Sequence, residues 1–414
     1  MKYFDCVVVG GGMVGAASAL SLAQLGLRVA LIEQFEPKPF SSEQSLDLRV
    51  SAVSLASQHL LEQVGAWPKV TQWRVCPYKR LGVWEQAFAY TEFNADNIDQ
   101  QQLGHIVENR LLQLALWEQV KTETNIELFC PYNLIELSQD ASQVNLLLKD
   151  VKTSAEINIT GKLVVAADGA NSQVRKMANI GITAWDYQQS AMLINVKTDM
   201  PQQDITWQQF FPTGPVAFLP LTMDSLNKQG SENDHNGHQG YASLVWYHQR
   251  DEIKRLSNLS NQQLQQEIMA SFPERLGYIE VIDKGAFPLT RRHANSYQNK
   301  RILLLGDAAH TINPMAGQGV NLGFKDVKAL QTVVANAISH GECWHDVAIL
   351  SRYEQMRRKD NLLMMSTMDA LYHSFSHPSS LVKTLRNFSL LAINKVPFVN
   401  STIKNKALAY ACGI

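Results

Sequence analysis

Gly306-Asp307-Ala308-Ala309-His310, then Pro314, then Gly317-Gln318-Gly319-Val320-Asn321-Leu322-Gly323 and Asp326, is the stretch whose reading decides the fold. The apolar run Ile302–Leu305 leads into it, and four apolar residues flanked by glycine suit a buried strand better than a helix. Beyond it the apolar spacing changes to Val327, Leu330, Val333 and Val334, a helical period that places Gly317 to Gly323 in a loop opening a helix. Such a loop turns backbone N–H groups, with the positive end of the helix dipole behind them, toward one electron-rich ligand. Glycine is required because a side chain would hold the ligand away from the backbone. Asp307, at the end of the strand, is placed to accept hydrogen bonds from the hydroxyls of a sugar-like chain. A diol acceptor beside a cradle of Gly306, Gly317, Gln318, Gly319 and Asn321 is what a bound flavin nucleotide requires.

The beginning of the chain supplies the complementary half. Phe4–Val9 reads as a buried strand, and Gly10, Gly12 and Gly15 follow at GxGxxG spacing. They open a helix, Met13–Leu25, in which Ala16, Ala17 and Ala19 are small enough for close packing. A second strand, Val29–Ile32, ends in Glu33, 18 positions after Gly15 and near the spacing at which an acid meets a ribose hydroxyl. This predicts a dinucleotide with its pyrophosphate at the helix N-terminus, and does not by itself separate FAD from NAD. Another buried strand, Leu163–Ala167, delivers Asp168-Gly169-Ala170-Asn171-Ser172, with Arg175 following. Asp-Gly is equally a plain turn and Ser172 a plain helix cap. No second GxGxxG follows, so a nicotinamide would dock transiently, and nothing chooses between NADH and NADPH.

Elsewhere, Val53–Val64 and His105–Val120 read as helices, the latter opening on Glu108-Asn109-Arg110. Val75–Phe93 reads as strands of a separate sheet. From Ser190 to Leu289 alternating strands carry Trp207, Phe210, Phe211, Phe218, Trp246 and Tyr247, the expected substrate sheet. Asp224–Gly240, rich in Gly, Asn and Gln, reads as a mobile hairpin insertion, and its His235 and His238 lack the partners a metal needs. Asn261–Phe272 is helical, and the chain re-enters the nucleotide domain near Lys300. From Ala370 to Ile414 there are five Lys or Arg and no Asp or Glu, with Leu381, Leu385, Phe388 and Ala392 at helical spacing. That basic amphipathic tail either packs back on its own domain or docks on an anionic membrane surface or a partner.

With 414 residues and a formal charge of −1, the chain suits one large or two medium domains and has no global field to attract nucleic acid. Cys6, Cys76, Cys130, Cys343 and Cys412 are odd in number and without CxxC, which suggests reduced packing thiols in the cytoplasm, with no metal site. The apolar start from Cys6 to Leu27 is interrupted by three glycines, and reads as folded βαβ structure and not as a signal peptide. No apolar stretch of about 18 residues spans a membrane.

These motifs together resemble the single-component, class A flavin monooxygenases, and in particular the ubiquinone-biosynthesis hydroxylases. The resemblance implies an α/β fold with a discontinuous Rossmann-like FAD-binding domain (1–74, 95–185 and 286–365), a β-sheet substrate domain (75–94 and 186–285) and the tail (366–414). It implies that Arg49 reaches the flavin side of the site, that Arg110 is a candidate for the FAD phosphates, and that Asp168 lies near the pyrophosphate and the nicotinamide donor. Pro314, Gly317, Gln318 and Gly319 would line the flavin ring, with His310 a part of that loop and not a base. No catalytic side chain is expected, because the cofactor carries the chemistry. Reduced flavin would form a hydroperoxide that hydroxylates the ring of a polyprenylated benzoquinol, taking electrons from NADH, NADPH or another donor. Asn313-Pro314, where many members have His-Pro, and Thr290-Arg291-Arg292 resemble the branch performing the final ring hydroxylation. The implied setting is cytoplasmic, in contact with the inner face of the membrane or with other proteins of the pathway. A reductase or dehydrogenase of the same fold and a non-catalytic flavoprotein scaffold share every FAD motif. Oxygen consumption coupled to product separates the first, and reduction of the flavin by a donor separates the second.

Overall fold

In the computed structural model, residues 2–225, 239–312, 319–376, 379, 383–384, 386–387 and 405–413 are described. Their architecture follows from two kinds of strand. The first kind is apolar on both faces: Lys2–Val9 keeps Cys6, Val7 and Val8 fully buried, and Leu163, Val164 and Val165 within Glu156–Ala166 are equally buried. Such strands belong in a parallel sheet covered on both sides. They form the parallel order Ile302–Leu304, Glu156–Ala166, Lys2–Val9, Val29–Ile32, Ile126–Phe129, with the short strand Gln298–Asn299 antiparallel on the edge beside Ile302–Leu304. Val9 registers with Ala166 on one side and Ile32 on the other, so the strand ends carrying Gly10, Ala167 and Glu33 lie side by side. Tyr132–Gln139 and Val144–Asp150 join this sheet antiparallel.

Three helices pack on it, Met13–Ala23, Asn109–Thr122 and Gly319–Ser339. Close approach is set by side-chain size: a Cβ on Gly323 would stand 2.5 Å from Val14 Cγ2, so the first and last of these helices touch only because that position is glycine.

The second kind of strand alternates. The order is His310–Thr311, Ile279–Ala294, Ile182–Pro201, Gln239–Gln249, Val216–Leu221, Ile205–Gln209, Arg80–Trp84, Thr91–Asn94. One face buries Met192, Ile194, Trp207, Phe218 and Trp246 against Ile253 and Leu256 of the helix Arg250–Ser257 and Leu264 and Ile268 of the helix Asn261–Ser271. The other face carries Ala191, Ala217, Val245, Tyr247 and Leu289. Val50–Ser54, Gly104–Glu108 and Cys76–Tyr78 form a separate three-stranded sheet, whose Cys76 and Ile106 pack against Leu221 of the second sheet.

Several expectations change. Gly104–Glu108 is a strand held between two others, so the helix expected from His105 starts only at Asn109. Cys76–Tyr78 belongs to that small sheet, and only Arg80–Trp84 and Thr91–Asn94 of the 75–94 segment reach the substrate sheet. The strands Ile182–Pro201 and Ile279–Ala294 run through the expected boundaries at 185 and 285. Gly319 to Gly323 is already helix, not loop. Leu221 pairs with Tyr241, which makes the connection after 221 a hairpin; within the expected insertion, residues 226–238 with His235 and His238 lie outside the described residues, and Gln239 and Gly240 are strand.

The long helix Val347–Ser376 passes through the tail boundary at 366. Described parts of the tail pack back on the body. Arg386 Nε donates to buried Glu85 at 2.7 Å, and Leu408 and Cys412 of the helix Asn405–Cys412 bury against Ala95 and Leu103. Leu381, Leu385, Phe388 and Ala392 lie outside the described residues. Cys343, expected to pack, is exposed and stands with His345 and Asp346, beside the guanidinium of Arg301 at 3.0 Å from His345 Nδ1. No helix among the described residues is long and apolar enough to cross a membrane.

Candidate active site

A cavity of about 720 Å³ is lined from both large sheets. A surface hollow of similar volume beside Lys79, Asp96 and Gln100 touches none of the motif residues. The cavity's nucleotide side is made by the glycine turns. Gly10 (φ +102°) and Gly15 serve the fold itself: a Cβ on Gly15 would lie 1.8 Å from Gly10 O, and one on Gly10 2.5 Å from Ala167 O. Gly12, Gly169 and Gly319 differ, because on this same wall nothing among the described residues, chain neighbours aside, stands within 4 Å of where their Cβ would be. Buried Asp168 Oδ1 and Thr311 Oγ1 have no hydrogen-bond partner among the described residues. Open space before three glycines, and unpaired polar atoms close to them in the chain, fit a large polar nucleotide such as FAD.

Glu33 closes the first turn by accepting N–H bonds from Gly11 (2.6 Å), Gln34 (2.7 Å) and Phe35 (3.0 Å). A carboxylate has about four lone-pair sites, so capacity for a ribose hydroxyl remains. Two residues that the sequence reading missed complete the turn: Gln113 Nε2 and Trp117 Nε1 donate to Gly11 O at 2.9 and 2.7 Å. Their only sequence signal is position, one helical turn apart after Arg110. Asp168 Oδ2 accepts the N–H groups of Gln173 and Val174 at 2.7 and 3.1 Å, and Ser172 caps the same short helix. Both the turn and the cap readings therefore apply to this segment, while Oδ1 stays unpaired. Arg175 bridges to the second motif, donating to Ala308 O at 2.7 Å and to Ala170 O at 3.0 Å.

Gly306 (φ +57°) gives its N–H to Asp326 Oδ2 at 2.9 Å, and that carboxylate also receives His310 Nε2 at 2.6 Å and Arg357 Nε at 2.7 Å. His310 is thus tied behind the loop. Asp307 is exposed to the cavity, where withdrawal from bulk solvent pushes its carboxyl above the usual range against the opposing pull of His310, Arg49 and Arg292. Arg49 is exposed on the cavity wall; its carbonyl accepts the N–H of Asn109 at 2.9 Å, and its guanidinium makes no hydrogen bond among the described residues.

Two expected cofactor residues are turned elsewhere. Arg110 spends its guanidinium on Asp47 (3.0 and 3.3 Å) and on the carbonyls of Lys38 and Pro39, so it fastens the 38–47 segment and does not line the cavity. The Asn321 side chain is 1% exposed and accepts from Ser54 N and Ser57 Oγ while donating to Ala52 O. It joins the helix Gly319–Ser339 to the strand Val50–Ser54, a role that sequence spacing cannot reveal. Asn313, Pro314, Gly317 and Gln318 lie outside the described residues; Gly319 lines the cavity.

The opposite wall is apolar. Leu193, Phe210, Ala217, Leu219, Val245, Tyr247, Phe287 and Leu289 come from the substrate sheet, and Leu81, Val83, Leu103, Leu408 and Cys412 continue the lining. Trp246 and Phe218, the rings that marked this sheet in the sequence, pack on its far face. Burial pushes the Tyr247 hydroxyl well above its ordinary value.

An FAD binding domain family matches residues 3–365. The 3-demethoxyubiquinol 3-hydroxylase of Escherichia coli (strain K12) is 45% identical over 99% of this chain and 98% of its own. The mitochondrial ubiquinone biosynthesis monooxygenase COQ6 of Danio rerio is 30% identical over 99% of this chain and 90% of its own. Among solved structures, p-nitrophenol 4-monooxygenase from Pseudomonas putida DLL-E4 superposes with a TM-score of 0.76 at 18% identity, over 99% of this chain and 98% of its own, a likeness of fold.

Proposed function

Because the chain belongs to the FAD binding domain family, and within it to the ubiquinone-biosynthesis hydroxylases, we propose that it hydroxylates a polyprenylated benzoquinol at the last unsubstituted ring position. It is an FAD-dependent monooxygenase. The observation that carries the finer reading is the 45% identity along nearly the whole chain to a 3-demethoxyubiquinol 3-hydroxylase, joined to a cavity with one polar and one apolar wall.

FAD, reduced by a donor, supplies the activation of O2 from which one atom enters the ring. This chain's residues do the rest. Gly12, Gly169 and Gly319 let backbone approach the nucleotide, Glu33 and Asp307 accept sugar and ribityl hydroxyls, and Asp168 Oδ1 and Arg49 offer polar contacts on the flavin side. Pro314, Gly317 and Gln318, outside the described residues, are the proposed contacts of the flavin ring. The apolar wall excludes water from the reacting centre and receives the ring and the start of its alkyl tail. NADH, NADPH or another electron donor docks transiently. The protein works in the cytoplasm and meets its long-tailed substrate at the inner face of the membrane.

Mass spectrometry of quinones tests this in cells lacking the protein, before and after it is restored. A demethoxy intermediate that accumulates and then clears supports the assignment. An unchanged quinone profile sinks it.

A further inference from the structure

The substrate sheet presents to the cavity a row of residues fixed by register: Val83 opposite Gln208, Gln208 opposite Ala217, Ala217 opposite Val245, Val245 opposite Leu193. All five line the cavity. Four are aliphatic; the fifth is a primary amide. Alternation along Ile205–Gln209 explains its direction, since Ile205 and Trp207 bury in the core under the helices, which sends Thr206 and Gln208 to the other face. The neighbouring Gln209 donates to Glu85 O, whereas the Gln208 side-chain amide makes no hydrogen bond or ion pair among the described residues. A half-buried amide amid aliphatic neighbours needs its hydrogen bonds completed by water or by what binds, and a ligand that displaces that water must replace them. In apolar pockets, a few such groups fix the orientation of what binds.

We infer that Gln208 is the group that orients the substrate ring, donating its N–H to one ring oxygen or accepting a ring hydroxyl, and so deciding which carbon faces the flavin side of the cavity. This rests on the benzoquinol reading above. The amide suits a ring bearing hydroxyl and methoxy oxygens, because it can donate to either and accept from the first. Gln208 touches substrate and not cofactor, so its loss leaves the flavin in place.

The test uses the FAD-loaded protein, a short-tailed demethoxybenzoquinol, O2 and a reduced nicotinamide, and measures flavin content, oxygen consumed and hydroxylated product. Gln208→Leu keeps size and removes the hydrogen bonds. It is expected to retain flavin and melting temperature, to lose about 10- to 100-fold in kcat/KM for product with KM raised, and to release a growing share of the oxygen as hydrogen peroxide. Gln208→Glu, which keeps only acceptors, is expected to fall between the two and serves if leucine disturbs the sheet. Coupling and KM within about twofold of wild type in both variants overturn the inference while the benzoquinol reading stands. A wild-type protein that hydroxylates no benzoquinol overturns both.

Discussion

Asp326 Oδ2 accepts the backbone N–H of Gly306 at 2.9 Å, from a position one helix away in the fold and 0% exposed. This bond fixes the turn that points Asp307 into the cavity. Burial works against the Asp326 charge, but His310 and Arg357 overcome it and hold the carboxyl below the usual range. A depressed acid stabilises the fold at any pH above its unfolded value near 4, and that stabilisation is lost as pH falls through the depressed folded value. Asp326→Asn removes one of the two carboxylates paired with buried Arg357 and leaves only Asp360, a loss below the ~3–5 kcal/mol of a buried ion left wholly unpaired. The variant should melt lower at pH 7, retain less flavin, and approach wild type in melting temperature as both are acidified. Equal melting and equal flavin content at pH 7 would refute this role.

Gly12 and Gly15 belong to one motif and should fail differently. Gly12→Ala meets no atom of the described residues within 4 Å beyond its chain neighbours, so the apoprotein should keep its melting temperature while flavin affinity falls. Gly15→Ala drives a Cβ to 1.8 Å from Gly10 O and should cost stability before any ligand is added. Thermal melts of apoprotein, set beside flavin titrations, separate the two, and similar melts for both would contradict the geometry.

What was legible in the sequence was local. Buried strand runs ending in glycine announce the nucleotide turns because period and turn chemistry are properties of a few consecutive residues. Contacts across the fold were not. Arg110 and Asn321 look like ligands by position, but their partners, Asp47 and Ser57, lie far away in sequence and only folding brings them together. His105–Glu108 reads as helix until its two neighbouring strands are known. Aromatic residues drew attention to the far face of the substrate sheet, while Gln208, an ordinary polar residue in an alternating strand, marks the near one.

Glu108 is 2% exposed, accepts Asp47 N–H at 2.7 Å through one oxygen, and leaves its other oxygen unpaired. Burial pushes its carboxyl up to about 7, against the opposing pull of the Asp47 N–H and Arg74. An acid raised in this way costs nothing below its unfolded value near 4.3, costs more as pH climbs, and costs fully above about 7. Glu108→Gln removes that titration. The melting temperature of the variant relative to wild type should therefore rise between pH 5 and pH 8. A difference that stays flat over that range would show that Glu108 does not titrate there.

Arg110 and Asp47 provide the sharpest separation between a phosphate ligand and a fastener. If the arginine acts by holding the 38–47 segment, Arg110→Met and Asp47→Asn remove one shared interaction and should weaken flavin binding and stability by similar amounts. The double variant should then be scarcely worse than either alone, with a coupling energy of about 0.5–3 kcal/mol. Asn195 Nδ2 and Glu108 also hold Leu46 and Asp47 through their backbone, which keeps the segment from detaching entirely. A direct phosphate contact predicts the opposite pattern. Arg110→Met would then lose far more flavin affinity than Asp47→Asn, and the aspartate variant, by freeing the guanidinium, would bind flavin as well as wild type or better. Flavin titration of the two single variants and the double variant at one ionic strength decides between them.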